Sequence, residues 1–245
     1  MVYESGFIRS GKNQTALVMK NFVHLPQNQI FYPTGMEKIQ VEVAQLLLQI
    51  NTIKVQPSNP FTWASGWKAP IYCDNRKILS FPQARAVIRD KFVEVITKKY
   101  PDAEVIAGVA TGAIAHGVLV AEKMGLPFVY VRSAPKGHGL ENLIEGDLKP
   151  GQKVVVIEDL VSTGGSSLKA AQAIADYGAS VLGMVAIFSY GFQQAADNFA
   201  KAGFELTALS QYDVLIKSAA DMGEIRESDL EKLIQWRVDP ANWGK

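Results

Sequence analysis

Two adjacent carboxylates, Glu158 and Asp159, follow four branched apolar residues, Val154 to Ile157, and precede a run of hydroxyls and glycines, Ser162, Thr163, Gly164, Gly165, Ser166 and Ser167. Those types in that order point to ligand chemistry. Glycines let the main chain approach a ligand closely, and the unpaired N–H groups of a helix's first turn favour an anion. Carboxylates beside an anion would repel it, so they need hydroxyl donors or a metal ion as partners. A phosphorylated sugar satisfies both halves, with its phosphate on the loop amides and its diol on the acids. An ordinary strand-to-helix turn with a capping hydroxyl would explain the serines and glycines, but not two acids after a buried strand.

Other residues carry candidate chemistry. Ala110, Thr111, Gly112 and Ala113 form a second small-residue turn into a helix, suited to another anion such as pyrophosphate. The stretch 132–151, RSAPKGHGLENLIEGDLKPG, is long, glycine-punctuated and without a clear period, as lids and binding loops are. Arg132, Lys136 and His138 give its start the positive charge that a leaving pyrophosphate needs. Lys68 stands at the mouth of a turn marked by Ala64, Ser65 and Gly66; taken alone, it reads as a solvated turn lysine. His116, inside a helical pattern, reads as structural.

The elements that must position these groups alternate regularly. Strands are expected at 104–109, 127–132, 153–158, 181–188 and 204–208, with helices at 112–124, 168–177 and about 193–202, the last ending at a C′ glycine, Gly203. A helix from 37 to 52 carries one apolar stripe, and Ser80 is expected to cap another that has Pro82 in its first turn. Phe61 to Trp63 and Ala69 to Cys73 are expected to pair as a small antiparallel unit. Helices at 212–220 and 229–238 close the chain, the second opened by a capping box at Ser228 and Glu231. Strands interleaved with such helices predict an α/β fold with a parallel sheet, whose ligands bind beyond the carboxyl ends of the strands.

Composition narrows the class. A chain of 245 residues, 48% apolar, suffices for one large domain or a domain with an appendage. A net charge of +1 argues against a general nucleic-acid binder or an anionic membrane partner. The single cysteine, Cys73, excludes an internal disulfide and a CxxC site. No apolar run reaches the length of a membrane span and no signal peptide is visible, so a cytoplasmic enzyme is expected. Residues 1–35 hold only Glu4, Arg9, Lys12 and Lys20 as charged groups and show no sustained period. They are expected to be a weakly ordered extension or an upstream misassigned start, with the domain at 36–245.

VVVIEDLVSTGGSS resembles the phosphoribosyl pyrophosphate (PRPP) motif of the type I phosphoribosyltransferases: an apolar strand, two acids, then a Ser/Thr/Gly phosphate loop. Neither GxxxxGK[ST] nor a helix-opening GxGxxG is present to suggest another nucleotide fold. The stretch from Arg132 is similar to the catalytic loop of the family's orotate branch, where Lys136, His138, Gly139, Ile144, Glu145 and Gly146 match. Ser65, Gly66, Lys68 and Pro70 match that branch's Ser-Gly-x-Lys-x-Pro turn. The resemblance implies a mostly parallel central sheet flanked by helices, with a small N-terminal hood over about 36–80 and a core over about 81–245.

It further implies transfer of phosphoribose from PRPP to orotate, with Lys136, His138 and Arg132 catalytic. These three, with Glu158, Asp159, Leu160, Val161, Ser162, Thr163, Gly164, Gly165 and Ser166, would bind PRPP; Ser162 and Lys68 would bind orotate. Mg2+ would be held mainly through PRPP, without direct protein ligands, in a homodimer sharing the catalytic loop between subunits. Three positions depart from the branch: Thr111 and Ser133 stand where some members carry lysine, and Phe188 to Phe192 lack an arginine that some relatives place against the orotate carboxylate. Tyr190 or Phe192 would offer an aromatic wall instead. A phosphoribosyltransferase for another base, and a PRPP-sensing regulator without catalysis, are the alternatives; the regulator would need a DNA-binding module.

Overall fold

The computed structural model describes residues 35–63, 66–134 and 143–244. Its centre is the strand β8 (Lys153–Val161), whose residues Val154 to Ile157 are wholly buried. Branched apolar side chains on both faces suit a strand covered by helices on either side. With β5 (Val105–Val109), β6 (Phe128–Val131), β7 (Ile144–Glu145), β9 (Ser180–Ser189) and β10 (Leu206–Gln211) it forms a sheet in the order β10-β9-β8-β5-β6-β7. Neighbours from β10 to β6 are parallel, and β7 runs antiparallel to β6 at the edge.

This order locates a crevice. From β5 the chain moves outward to β6, and from β8 it moves the other way to β9 and β10. The two connections therefore leave β5 and β8 on opposite sides, which opens a gap beyond their carboxyl ends. Helix Gly112–Met124 starts there after β5, and helix Gly165–Asp176 starts there after β8. Glycines close two of the helices in the left-handed conformation: Gly125 after Gly112–Met124, at φ 67°, and Gly203 after Gln193–Ala202, at φ 72°.

The N-terminal part is built from helix Met36–Gln49, β1 (Ile53–Val55), β2 (Phe61–Thr62), β3 (Lys68–Ala69), β4 (Ile71–Cys73) and a 3₁₀ turn, Asn75–Ser80. β2 pairs with β3, but β4 pairs with β1 instead of completing one antiparallel unit with β2. The reason is Pro70, which has no N–H to continue a ladder and breaks the strand between β3 and β4. Helix Met36–Gln49 lies on β10 and on helix Tyr212–Asp221.

Two expected caps are corrected. Ser80 ends the 3₁₀ turn, and the next helix begins at Pro82 after Phe81, with no side-chain cap. Leu230–Val238 begins after a short 3₁₀ turn, Glu227–Asp229, with Asp229 rather than Ser228 at its N-cap and no side-chain capping bond. Proline at the first helical position already lacks the orphan N–H that a cap would satisfy. Among the described residues, no helix is long and apolar enough to cross a membrane.

Candidate active site

β8 outruns its neighbour. Its pairing with β5 stops at Gly108 and Ile157, while its pairing with β9 continues to Val161 and Ser189. Glu158 and Asp159 thus sit on a strand end flanked by β9 alone, facing the gap over β5. The sequence predicts a strand ending at 158; its extension to Val161 places Asp159 and Leu160 on regular backbone as well.

The two acids differ. Glu158 is buried, and its carboxylate accepts from Ser167 Oγ at 2.7 Å and from the Asp159 main-chain N–H at 2.9 Å. Burial, and secondly the neighbouring Asp159 carboxylate, push its pKa up to about 8. Asp159 is half-buried, and its side chain lies directly on Gly112, so closely that no β-carbon would fit there. The first turn after β5 and the acid pair near the end of β8 are therefore one site. A side chain at 112 would have to displace the Asp159 carboxylate, a constraint invisible in the sequence.

The loop beyond them turns on Gly164, at φ 83°, where a β-carbon would also press on the Phe199 ring. Asn198 Nδ2 donates to the Thr163 carbonyl at 3.0 Å, tying the loop to helix Gln193–Ala202. Ser162 and Thr163 are half-buried, while Gly165 and Ser166 are exposed in the helix's first turn. That helix starts at Gly165, earlier than expected, so the amides of Gly165 and Ser166 belong to its N-terminus and are oriented for an anion.

Arg132 follows β6. Its N–H donates to the Leu143 carbonyl at 2.8 Å, and its guanidinium lies 3.5 Å from the Glu145 carboxylate. These contacts bring together the two ends of the stretch carrying Lys136 and His138, which lie outside the described residues, as does Ser65. Lys68 extends along β3 and donates to Thr62 Oγ1 at 2.8 Å, while its own carbonyl accepts from Trp236 Nε1 at 3.1 Å. His116 is buried as expected of a structural residue, and burial lowers its pKa.

Tyr190 and Phe192 do not form a wall to an open base pocket. Both are buried, in a cluster with Trp63 and Trp236 at ring-centroid distances of 5.0–5.8 Å. Arg237 Nη1 donates to the Gly191 carbonyl at 3.1 Å, bringing a guanidinium to the segment that lacks its own arginine. Among the described residues, no group of three His, Cys, Asp or Glu side chains is placed to hold a metal ion.

A parallel sheet with a topological switch, an acid pair and a hydroxyl-rich loop at a helix N-terminus is the type I phosphoribosyltransferase arrangement. The family model for the phosphoribosyl transferase domain matches residues 75–214, and the chain belongs to that family. Among its relatives, a protein of Porphyromonas gingivalis named orotate phosphoribosyltransferase is 59% identical over 82% of this chain and 96% of its own. One of the same name from Phocaeicola vulgatus is 55% identical over 85% of this chain and 98% of its own. The crystal structure of orotate phosphoribosyltransferase from Aeropyrum pernix superposes with a TM-score of 0.65, at 26% identity, over 75% of this chain and 99% of that one. The Mycobacterium tuberculosis H37Rv enzyme in complex with PRPP gives 0.56, at 26% identity, over 72% and 98%.

Proposed function

We propose that this chain transfers the 5-phosphoribosyl group of PRPP to orotate, giving orotidine 5-monophosphate and pyrophosphate in pyrimidine synthesis. The reading rests on one observation above all: the acid pair ending β8 runs through the Ser/Thr/Gly loop into a helix N-terminus, across from the turn at Gly112. The choice of base follows the names of the relatives at 59% and 55% identity.

Each residue then has a task. The amides and hydroxyls of Ser162 to Ser166 take the 5-phosphate. Asp159, the more open acid, receives the ribose hydroxyls, and Glu158 supports it from behind. Lys68 and Ser162 receive orotate. As the C–N bond forms at the anomeric carbon, the C–O bond to pyrophosphate breaks, and charge accumulates on the leaving group. Arg132, Lys136 and His138 stabilise that charge. The orotate nitrogen is itself the nucleophile, so no protein nucleophile is required.

The donor set suits Mg2+ held chiefly by substrate oxygens, because the site offers an adjacent acid pair and no third ligand among the described residues. When bound, the ion neutralises pyrophosphate oxygens. We place the domain at 36–245, with a hood over about 36–80, and the working form is a cytoplasmic homodimer whose catalytic loop serves the partner's site.

Orotate absorbance, followed with purified protein, PRPP and Mg2+ and then with added pyrophosphate, tests the proposal. Loss of the orotate band dependent on all three components, and its return with pyrophosphate, is the expected result. Untouched orotate alongside PRPP binding would reassign the base and leave the reaction class standing.

A further inference from the structure

Asp159 stands beyond the last β8 residue paired with β5, so its main chain has no strand on that side to bond with. A side chain takes the strand's place. Asn75 Nδ2 donates to the Asp159 carbonyl at 2.6 Å, across 84 residues of sequence. Asn75 is almost wholly buried, at 1% exposure, and its Oδ1 accepts from Cys73 Sγ at 3.3 Å. One carboxamide thus joins β4 and the open end of β8. A buried amide costs free energy unless its polar atoms are paired, and here its pairing is spent on the peptide that carries the acid.

We propose that Asn75 is a positioning residue for PRPP: it holds the end of β8 so that the Asp159 carboxylate stays over Gly112, where the ribose hydroxyls reach it. This rests on the PRPP reading above. It also makes the first turn after β4 a part of the ribose site, although Asn75 itself need not touch substrate.

PRPP affinity, measured by calorimetry with Mg2+ present, tests the inference on Asn75→Ala and on Asn75→Asp, which keeps the shape but turns an acceptor toward the carbonyl. Losing a buried partner of a main-chain carbonyl is expected to raise the PRPP Kd about tenfold in the alanine variant, and more in the aspartate variant. The orotate KM at saturating PRPP should stay within about twofold, because the effect belongs to one substrate's site. An unchanged Kd in folded Asn75→Ala, or equal losses for both substrates alongside a lowered Tm, would overturn the positioning role. Should neither variant fold, Cys73→Ala decides: it removes the thiol donor to Oδ1, and a raised PRPP Kd with unchanged orotate KM supports the role while an unchanged Kd refutes it. If the unaltered protein binds no PRPP, the functional reading fails and this inference falls with it.

Discussion

The Asp159 carboxylate rests directly on Gly112, in space that a β-carbon at that position would occupy. The end of β8 and the start of the helix after β5 meet at this contact, and it sets the first prediction. Gly112→Ala would ordinarily stabilise a helix by up to about 1 kcal/mol. Here the methyl must push Asp159 away, so PRPP affinity is expected to fall by at least about tenfold even if the variant is as stable as its parent. Calorimetric Kd and Tm measured together check this; an alanine variant with unaltered PRPP binding would show that Asp159 is not the ribose ligand.

Glu158 gives a pH dependence. Its folded-state pKa is about 8 and the unperturbed value is 4.5, so between these limits the folded chain holds a proton that the unfolded chain releases. That contribution to stability is complete below about pH 4.5 and is lost as pH rises through about 8. Glu158→Gln keeps an acceptor for Ser167 and removes the titration. Its Tm should fall less than the parent's between about pH 5.5 and 8.5; parallel curves would mean that Glu158 is ionised in the folded protein.

Lys68 tests the proposed orotate subsite apart from that for PRPP. Lys68→Met keeps the length of the side chain but cannot donate a charge-assisted bond, whose loss is worth about 1.5–3 kcal/mol. An orotate KM raised by about tenfold or more, with PRPP Kd unchanged, is expected. Steady-state kinetics with orotate varied would reveal a mere turn lysine as a variant with parental KM.

Sharing of the catalytic loop is open to complementation. Lys136→Ala mixed with a chain carrying Glu158→Gln and Asp159→Asn should recover part of the activity that each lacks alone, because one interface then holds an intact acid pair and an intact lysine. Heterodimers confirmed by mass and found inactive would argue that each loop serves its own subunit.

Much of this arrangement was legible from residue order. Four branched residues buried on both faces, then two acids and a glycine-rich turn, marked the central strand and its loop, and Gly203 marked a helix end by a conformation other residues avoid. What stayed hidden depends on distant partners. Nothing near Asn75 in sequence reveals a carbonyl 84 residues away, and nothing near Gly112 reveals the carboxylate above it. Tyr190 and Phe192 read as a ligand wall because aromatic residues serve both cores and pockets; only the packing of Trp63 and Trp236 against them assigns these two to the core. The two-residue β7 is too short to leave a period, so it vanished into the long stretch after Arg132.

The bond from the Trp236 indole to the Lys68 carbonyl spans 168 residues and comes from the final helix of the chain. The β2–β3 hairpin gains this support only once that helix has been made. Without Leu230–Val238 the Lys68 carbonyl loses its indole donor, so this helix acts as a remote brace on a hairpin 168 residues earlier in the chain.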